Sequence, residues 1–316
     1  MSQNVFVGID TSNYTTSCAI SNENGEVLHN FRILLPVNDG ERGLRQSDAV
    51  FAHIKNFNLI SNMIREKCKD YKILAIGYSA FPRDTQGSYM PCFLTGEAVA
   101  NMLSAFAEAE IYSFSHQSGH IRSAIYSSGA KLAKDFVSFH VSGGTTEVLR
   151  VQATDDGYYQ IAQIGGSLDL HAGQAIDRVG VAMGLKFPCG KEMEKIALEN
   201  LSKLPSPKIC VNGYECNMSG LENLALNLFS KTQDKALVCA YVFEFVGKTL
   251  EKITENLRKE YIDLPILYAG GVMSNSIIQK RLGNRFENVF FATPEFSADN
   301  ATGISLLTRE RYTIEN

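Results

Sequence analysis

Two histidines four residues apart, in the run His116-Gln117-Ser118-Gly119-His120, are the side chains whose spacing most directly suggests chemistry. On a helix that spacing places both imidazoles on one face, as ligation of a metal ion requires. A pair of this kind also arises by chance, so the spacing alone leaves both readings open. A second group is Val141-Ser142-Gly143-Gly144-Thr145-Thr146. Here two glycines would let backbone N–H groups approach an anion while the hydroxyls add donors, although a plain tight turn has the same composition. A third is Tyr268-Ala269-Gly270-Gly271-Val272-Met273-Ser274-Asn275, an apolar strand ending in two glycines ahead of a helix. That is a natural place for a ligand to meet backbone donors, or simply a turn eased by glycine. Last, Asp299-Asn300 opens the final helical stretch, with the acid either an N-cap or a third metal ligand. Neither a G-x-x-x-x-G-K-[ST] loop nor a G-x-G-x-x-G fingerprint occurs.

The elements that would position these groups form a faint repeat. Strand-like runs Val5 to Ile9 and Thr16 to Ile20 flank a polar tip, Asp10 to Thr15; Phe136 to Val141 and Glu147 to Val151 flank the Ser142 tip in the same way. Two hairpins with small, hydroxyl-rich tips thus open two halves, and we place the boundary at 130/131. Helices are expected at 47–68 and 95–109, the latter with Thr95 as N-cap, then at 169–184, 190–203 and 232–261, after Ser274, and at 298–309. Further strands are expected at Ile73 to Ser79 and Pro265 to Ala269. The stripe Val242, Val246, Leu250, Ile253 and Leu257 reads as core packing. Strands alternating with helices indicate an α/β protein.

The 316 residues carry 30 Lys+Arg and 34 Asp+Glu, a formal charge of −4, with 45% hydrophobic and 20% charged residues. This excludes a disordered acidic tail, a basic nucleic-acid coat and a fibrous protein. The seven cysteines are scattered without a C-x-x-C pair, and no long apolar run or basic leader is seen. The expectation is a cytoplasmic, reduced, soluble protein.

The order of the motifs narrows the reading. Two anion-loop-like hairpins in duplicated halves, with a Gly-Gly turn after a late strand, outline the actin-like ATPase and sugar-kinase superfamily (RNase-H-like), whose nucleotide lies in an interdomain cleft. Within it the chain resembles the TsaD/Qri-type (Gcp) family, tRNA threonylcarbamoyladenosine transferases once mislabelled O-sialoglycoprotein endopeptidases. The resemblance runs through Gly8-Ile9-Asp10-Thr11-Ser12, His116-x-x-x-His120, Ser142-Gly143-Gly144-Thr145-Thr146, Ala172-Gly173-Gln174-Ala175-Ile176-Asp177-Arg178, Pro188-Cys189-Gly190, Ala269-Gly270-Gly271-Val272-x-x-Asn275 and Asp299-Asn300-Ala301. It implies that His116, His120 and Asp299 hold a divalent metal, iron or zinc. It also implies that Ser142, Gly143, Gly144, Asp177, Gly190 and Asn275 contact an adenine nucleotide, ATP, AMP or threonylcarbamoyl-AMP, with Val141, Thr145, Gly270 and Gly271 beside them. The implied partners are tRNA and TsaB-like and TsaE-like proteins, with a homodimer as an open alternative and no membrane. A protease is excluded, because Gln117 cannot act as the general base that H-E-x-x-H peptidases need.

The chain departs from the family pattern in several places. The family's G-I-E-T-S-C-D-E-T reads Gly8-Ile9-Asp10-Thr11-Ser12-Asn13-Tyr14-Thr15-Thr16, with Tyr14 and Thr15 where an acid pair belongs. The D-D-A-A-G-E-A-F-D run becomes Asp169-Leu170-His171-Ala172-Gly173-Gln174-Ala175-Ile176-Asp177, losing two more carboxylates. The chain therefore reads as a divergent member or paralogue, and no catalytic residue is assigned. A carbamoyl-type transferase with another acceptor, and a non-catalytic TsaB-like subunit, are the alternatives. Lys280, Arg281 and Arg285 offer either a local basic patch for tRNA or a solvated helix face.

Overall fold

The computed structural model describes residues 2–36, 44–130, 132, 134–200, 203–293 and 300–316. Its strands are β1 (Gln3–Thr11), β2 (Thr15–Asn22), β3 (Val27–Leu34), β4 (Tyr71–Phe81), β5 (Glu110–Ser115), β6 (Asp135–Val141), β7 (Thr146–Ala153), β8 (Tyr159–Ser167), β9 (Cys210–Asn212), β10 (Glu215–Asn217), β11 (Ile266–Ala269) and β12 (Val289–Phe291). Its helices are α1 (Gln46–Lys67), α2 (Phe93–Ala107), α3 (His116–Ser128), α4 (Ala172–Ala182), α5 (Gly190–Leu198), α6 (Gly220–Thr232), α7 (Lys235–Glu260), α8 (Ser276–Arg285) and α9 (Ala301–Glu315). The chain forms two compact units, one of Met1–Ser127, Ala153–Gln160 and Ala298–Asn316, the other of Ser128–Gln152 and Ile161–Ser297. The chain first crosses between the units at Ser127/Ser128. A single subdomain over 131–316 does not follow, because α9 and the β7–β8 turn pack with the first unit.

Both units repeat one topology. The first sheet has the order β3-β2-β1-β4-β5, the second β12-β11-β6-β7-β8-β10-β9. In each, the opening hairpin is antiparallel and its first strand then pairs in parallel with a later one, β1 with β4 and β6 with β11. The repeat read from the two hairpin tips is therefore a repeat of sheet order.

Period-two alternation divides β1 between the two faces of its sheet. Val5, Val7 and Ile9 join Ile60 of α1 and Ala100 of α2 in one cluster. Phe6 joins Phe114, Ile304 and Leu307 in another, so α9 covers the opposite face. Two buried hydroxyls lock α9 down: Ser305 Oγ lies 2.6 Å from Ser21 Oγ and donates to the Phe6 carbonyl at 3.0 Å. Close approach is also required between α9 and α3, since a Cβ on Gly303 would stand 1.9 Å from the Gly119 carbonyl oxygen.

The α2 start is a correction. Thr95 lies inside the helix, which begins at Phe93 after Cys92. The cap is tertiary: Thr11 Oγ1 accepts from Gly96 N at 3.2 Å and donates to the Cys92 carbonyl at 3.0 Å. In the second unit, Val242, Val246, Leu250, Ile253 and Leu257 of α7 are all buried, as their spacing predicts. Thr254 Oγ1 and Tyr268 OH, 2.6 Å apart and buried, tie α7 to β11. No described helix is long and apolar enough to cross a membrane.

Candidate active site

The histidine pair sits on the first unit, at the start of α3. That start is pinned by side chains: Ser118 N donates to Ser115 Oγ at 3.0 Å, and the Asp84 carboxylate accepts from the Ser115 and Ser118 hydroxyls. One turn apart on the helix, His116 and His120 bring their Nε2 atoms to 3.0 Å. Imidazole nitrogen binds a zinc-type ion at about 2.0–2.1 Å. An ion touching both nitrogens would see them at an angle of roughly 90–100°, as two adjacent ligands in tetrahedral or octahedral coordination. The two rings therefore fit a divalent metal. Asp299, the third ligand implied by the resemblance, lies outside the described residues. Among the described residues no group of three His, Cys, Asp or Glu could hold a metal ion.

Behind His116 is a carboxylate that spacing did not reveal. Asp10, at the end of β1 and 1% exposed, has Oδ1 2.8 Å from His116 Nδ1. Asn300 Nδ2 donates to the same oxygen at 2.9 Å. Burial opposes ionisation of Asp10, but His116 and these hydrogen bonds outweigh it and hold the carboxyl well below the usual range. A lone acid on an otherwise apolar, buried strand was the available signal. His53 is fully buried, with Nδ1 2.8 Å from Thr16 Oγ1; burial lowers its pKa to about 4.

The glycine-hydroxyl loop lies on the second unit. Ser142 N donates to the Thr145 carbonyl at 2.7 Å, closing the tip, and Gly144 N donates to Ser142 Oγ at 3.3 Å. The start of α4 docks on it: Ala172 N donates to Thr146 Oγ1 at 2.9 Å and Gly173 N to the Ser142 carbonyl at 3.1 Å. Gly173 has an internal reason to be glycine, since a Cβ there would come 2.7 Å from the Gly143 backbone. Gly143, Gly144, Gly190 and Gly271 have none: no described atom lies within 4 Å of a Cβ on any of them, and none has a positive φ.

The remaining predicted residues divide by role. Val141 is fully buried, so only its backbone borders the loop. Asp177 accepts from Cys189 N at 2.7 Å, tying α4 to the Pro188-Cys189-Gly190 turn, and burial raises its pKa. Gly270, at φ +99°, crosses the end of β6, where a Cβ would stand 2.3 Å from the Val141 carbonyl oxygen. Asn275 Oδ1 caps α8, accepting from Ile277 N and Ile278 N at 3.1 Å each, while its buried Nδ2 has no hydrogen-bond partner among the described residues. The basic patch on α8 is corrected: Arg281 pairs with Glu244 and Glu251, and Arg285 with Glu251 and Glu255, so both guanidinium groups bridge α8 to α7.

Comparison with known proteins gives a consistent result. A tRNA N6-adenosine threonylcarbamoyltransferase of Mycoplasma capricolum is 27% identical over 281 residues, covering 84% of each chain. One from Thermus thermophilus is 31% identical over 221 residues, covering 69% of this chain and 66% of that one. Among solved structures, component A of the Acidaminococcus fermentans (R)-2-hydroxyglutaryl-CoA dehydratase superposes with a TM-score of 0.57 at 14% identity, covering 98% of this chain and 99% of that one. At that identity the likeness shows the fold alone, and the fold is that of the actin-like ATPases and sugar kinases. Residues 51–306 match the tRNA N6-adenosine threonylcarbamoyltransferase family as a whole, and the chain belongs to that family, TsaD.

Proposed function

We propose that this protein transfers the threonylcarbamoyl group of threonylcarbamoyl-AMP to the N6 amine of an adenine in the tRNA anticodon loop. The observation that carries the reading is the set of glycines, Gly143 and Gly144 in the Ser142 loop and Gly190 at the start of α5, that no internal contact or φ angle explains, in a chain belonging to this family. A glycine without an internal reason marks a place where something outside the fold comes close to the backbone. The donor is a mixed anhydride whose phosphate suits the N–H groups of the Ser142 loop. Asp177, on α4 and bonded to the Pro188-Cys189-Gly190 turn, and the Nδ2 of Asn275 would hold the nucleoside.

His116 and His120, with Asp299, would hold the divalent metal, iron or zinc, which supplies Lewis-acid polarisation of a carbonyl oxygen. In the transfer the adenine N6–carbon bond forms and the carbon–oxygen bond to phosphate breaks. AMP leaves with the electron pair, and the amine gives up one proton. The tRNA substrate puts this work in the cytoplasm, alongside TsaB-like and TsaE-like proteins. The test is mass spectrometry of tRNA nucleosides after incubation with purified protein, threonylcarbamoyl-AMP and those partners. Modified adenosine is the expected result, and its absence would overturn the reading.

One observation favours a second acceptor. Tyr14, where the family carries an acid, is 54% exposed at the tip of the first hairpin. Tyrosine does not supply the carboxylate that the family pattern places there to act as a base. Turnover of a small hydroxylated acceptor with carbamoyl phosphate would identify this variant of the chemistry.

A further inference from the structure

Two exposed tyrosines on the first unit have no visible use in the fold. Tyr14, at the tip of the β1–β2 hairpin, is 54% exposed, and Tyr89, in the loop between β4 and α2, is 63% exposed. Neither ring nor hydroxyl has a partner among the described residues. A single exposed aromatic is ordinary on a protein surface, but these two flank one small apolar cluster. The Tyr14 carbonyl accepts from Leu35 N at 2.8 Å, Leu35 is buried with Cys92 and Phe93, and Met90, next to Tyr89, packs on them. The Phe93 ring in turn lies 5.7 Å from that of His116, centroid to centroid. Tyr14 is also four residues on from Asp10, within about 14 Å of it along the chain. One glutamine fixes the orientation of the hairpin tip. Gln46, the first residue of α1, receives Cys92 N on its amide at 3.3 Å. A backbone N–H can only donate, so the amide atom facing it is Oε1, and the other end, Nε2, is the donor to Asn13 at 2.8 Å. Asn13 meets it with Oδ1, which leaves Nδ2 beside Tyr14 as a donor without a partner among the described residues.

We propose that Tyr14, Tyr89 and Asn13 seat the acceptor base: the two rings stack on an adenine turned out of a single-stranded loop, and Asn13 Nδ2 donates to one of its ring nitrogens. The proposal rests on the reading of tRNA as the acceptor. Single-stranded RNA loops are recognised by aromatic stacking and by hydrogen bonds to base edges, because their bases can be splayed outward. An enzyme that acts on a base needs it out of its stack for the same reason. Adenine accepts at its ring nitrogens and donates at N6, so an amide N–H reads the base while the N6 amine stays free to react. A tyrosine offers its ring while its hydroxyl stays in water, so exposing two of them costs the free protein little. Arg45, exposed beside Gln46 and without an ion pair to a described residue, supplies a cation for the phosphates of the loop.

The experiment measures binding of an anticodon stem-loop RNA by fluorescence anisotropy, with 2-aminopurine at the acceptor position in a parallel series to report stacking. Tyr14→Ala and Tyr89→Ala should each weaken binding roughly 5- to 150-fold, and the bound 2-aminopurine should be brighter than in wild type, where the rings quench it. Tyr14→Phe and Tyr89→Phe should bind like wild type; Tyr14→Leu and Tyr89→Leu, apolar but without an aromatic face, should not. Asn13→Asp keeps the acceptor that Gln46 needs and exchanges the outward donor for an acceptor. It should weaken binding of the adenine loop roughly 2- to 12-fold and narrow the preference over a loop with uridine at that position. Arg45→Gln should lower the dependence of log K on log salt by about 0.7. Tm should hold throughout, since both rings are exposed. Alanine variants with wild-type affinity and emission would overturn the platform, while modification of tRNA by wild type keeps the transferase reading standing. Leucine variants that bind as wild type would also overturn it, assigning the tyrosines to an apolar docking surface. Wild type that neither binds the stem-loop nor yields modified adenosine overturns the transferase reading and the proposal with it.

Discussion

The contrast between Gly144 and Gly173 gives the sharpest test of the anion loop. A methyl group at Gly144 meets no described atom within 4 Å, so Gly144→Ala should leave stability within about 0.5 kcal/mol of wild type. If the loop N–H groups hold the donor phosphate, however, that methyl stands where the ligand must come. Loss of one hydrogen bond to a charged group is worth about 1.5–3 kcal/mol, or roughly 10- to 150-fold in Kd. Gly173→Ala should behave in the opposite way. Its Cβ meets backbone atoms of Ser142 and Gly143 at 2.7 Å, which cannot swing aside, and overpacking of this kind costs about 1–3 kcal/mol. The assay is calorimetric titration with AMP beside urea denaturation for both variants. Wild-type AMP affinity in a folded Gly144→Ala protein would refute the cradle, because the glycine would then have neither an internal nor an external purpose.

Elemental analysis should find about one divalent metal per chain, lost in a His116→Ala/His120→Ala protein that still binds adenine nucleotide; metal retained by the double variant would remove these residues from the ligand set. Gly303→Ala should destabilise the first unit by about 1–3 kcal/mol despite the better helix propensity of alanine, since its Cβ would meet the Gly119 carbonyl oxygen 1.9 Å away; an unchanged denaturation midpoint would argue against that helix contact. His53 is lowered from 6.5 to about 4, so the unfolded chain binds a proton more readily. Its contribution to stability is therefore present above about pH 6.5 and is lost as pH falls toward 4, by up to about 1.4 kcal/mol per pH unit. In urea titrations from pH 7 to 4, His53→Gln should show a shallower decline than wild type, and parallel curves would refute the assignment.

How much of this was legible in the sequence depended on whether the cause was local. The helical stripe on α7 and the paired hairpins declare themselves by period, and α1, α4 and α8 begin within a few residues of where pattern put them. The start of α2 was missed because its cap is Thr11, some eighty residues upstream, so no local signal exists. Strands β3, β5 and β12 were passed over because their meaning lies in pairing: β3 is half-buried with charged and polar residues interleaved, and β12 is three residues long. The histidine pair was visible by spacing alone. Asp10 and Asn300 were visible only as members of motifs, since the bond joining them spans 290 residues. The arginines of α8 looked like a surface patch because their acidic partners sit on α7, out of reach of any short window.

Placement of α9 has a consequence for how the chain is made. β1 leaves the ribosome well before α9, the helix that covers one face of its sheet and carries Asn300 to Asp10, 290 residues further along the chain. At about 5–20 residues per second, some 15 to 60 seconds separate the two. Throughout that interval Phe6 and Phe114 lack Ile304 and Leu307, and by its end the second unit, Ser128–Gln152 and Ile161–Ser297, has been synthesised. Until α9 is made, the nascent first unit leaves one apolar face of its sheet uncovered, and the His116 environment is complete only once that helix has docked.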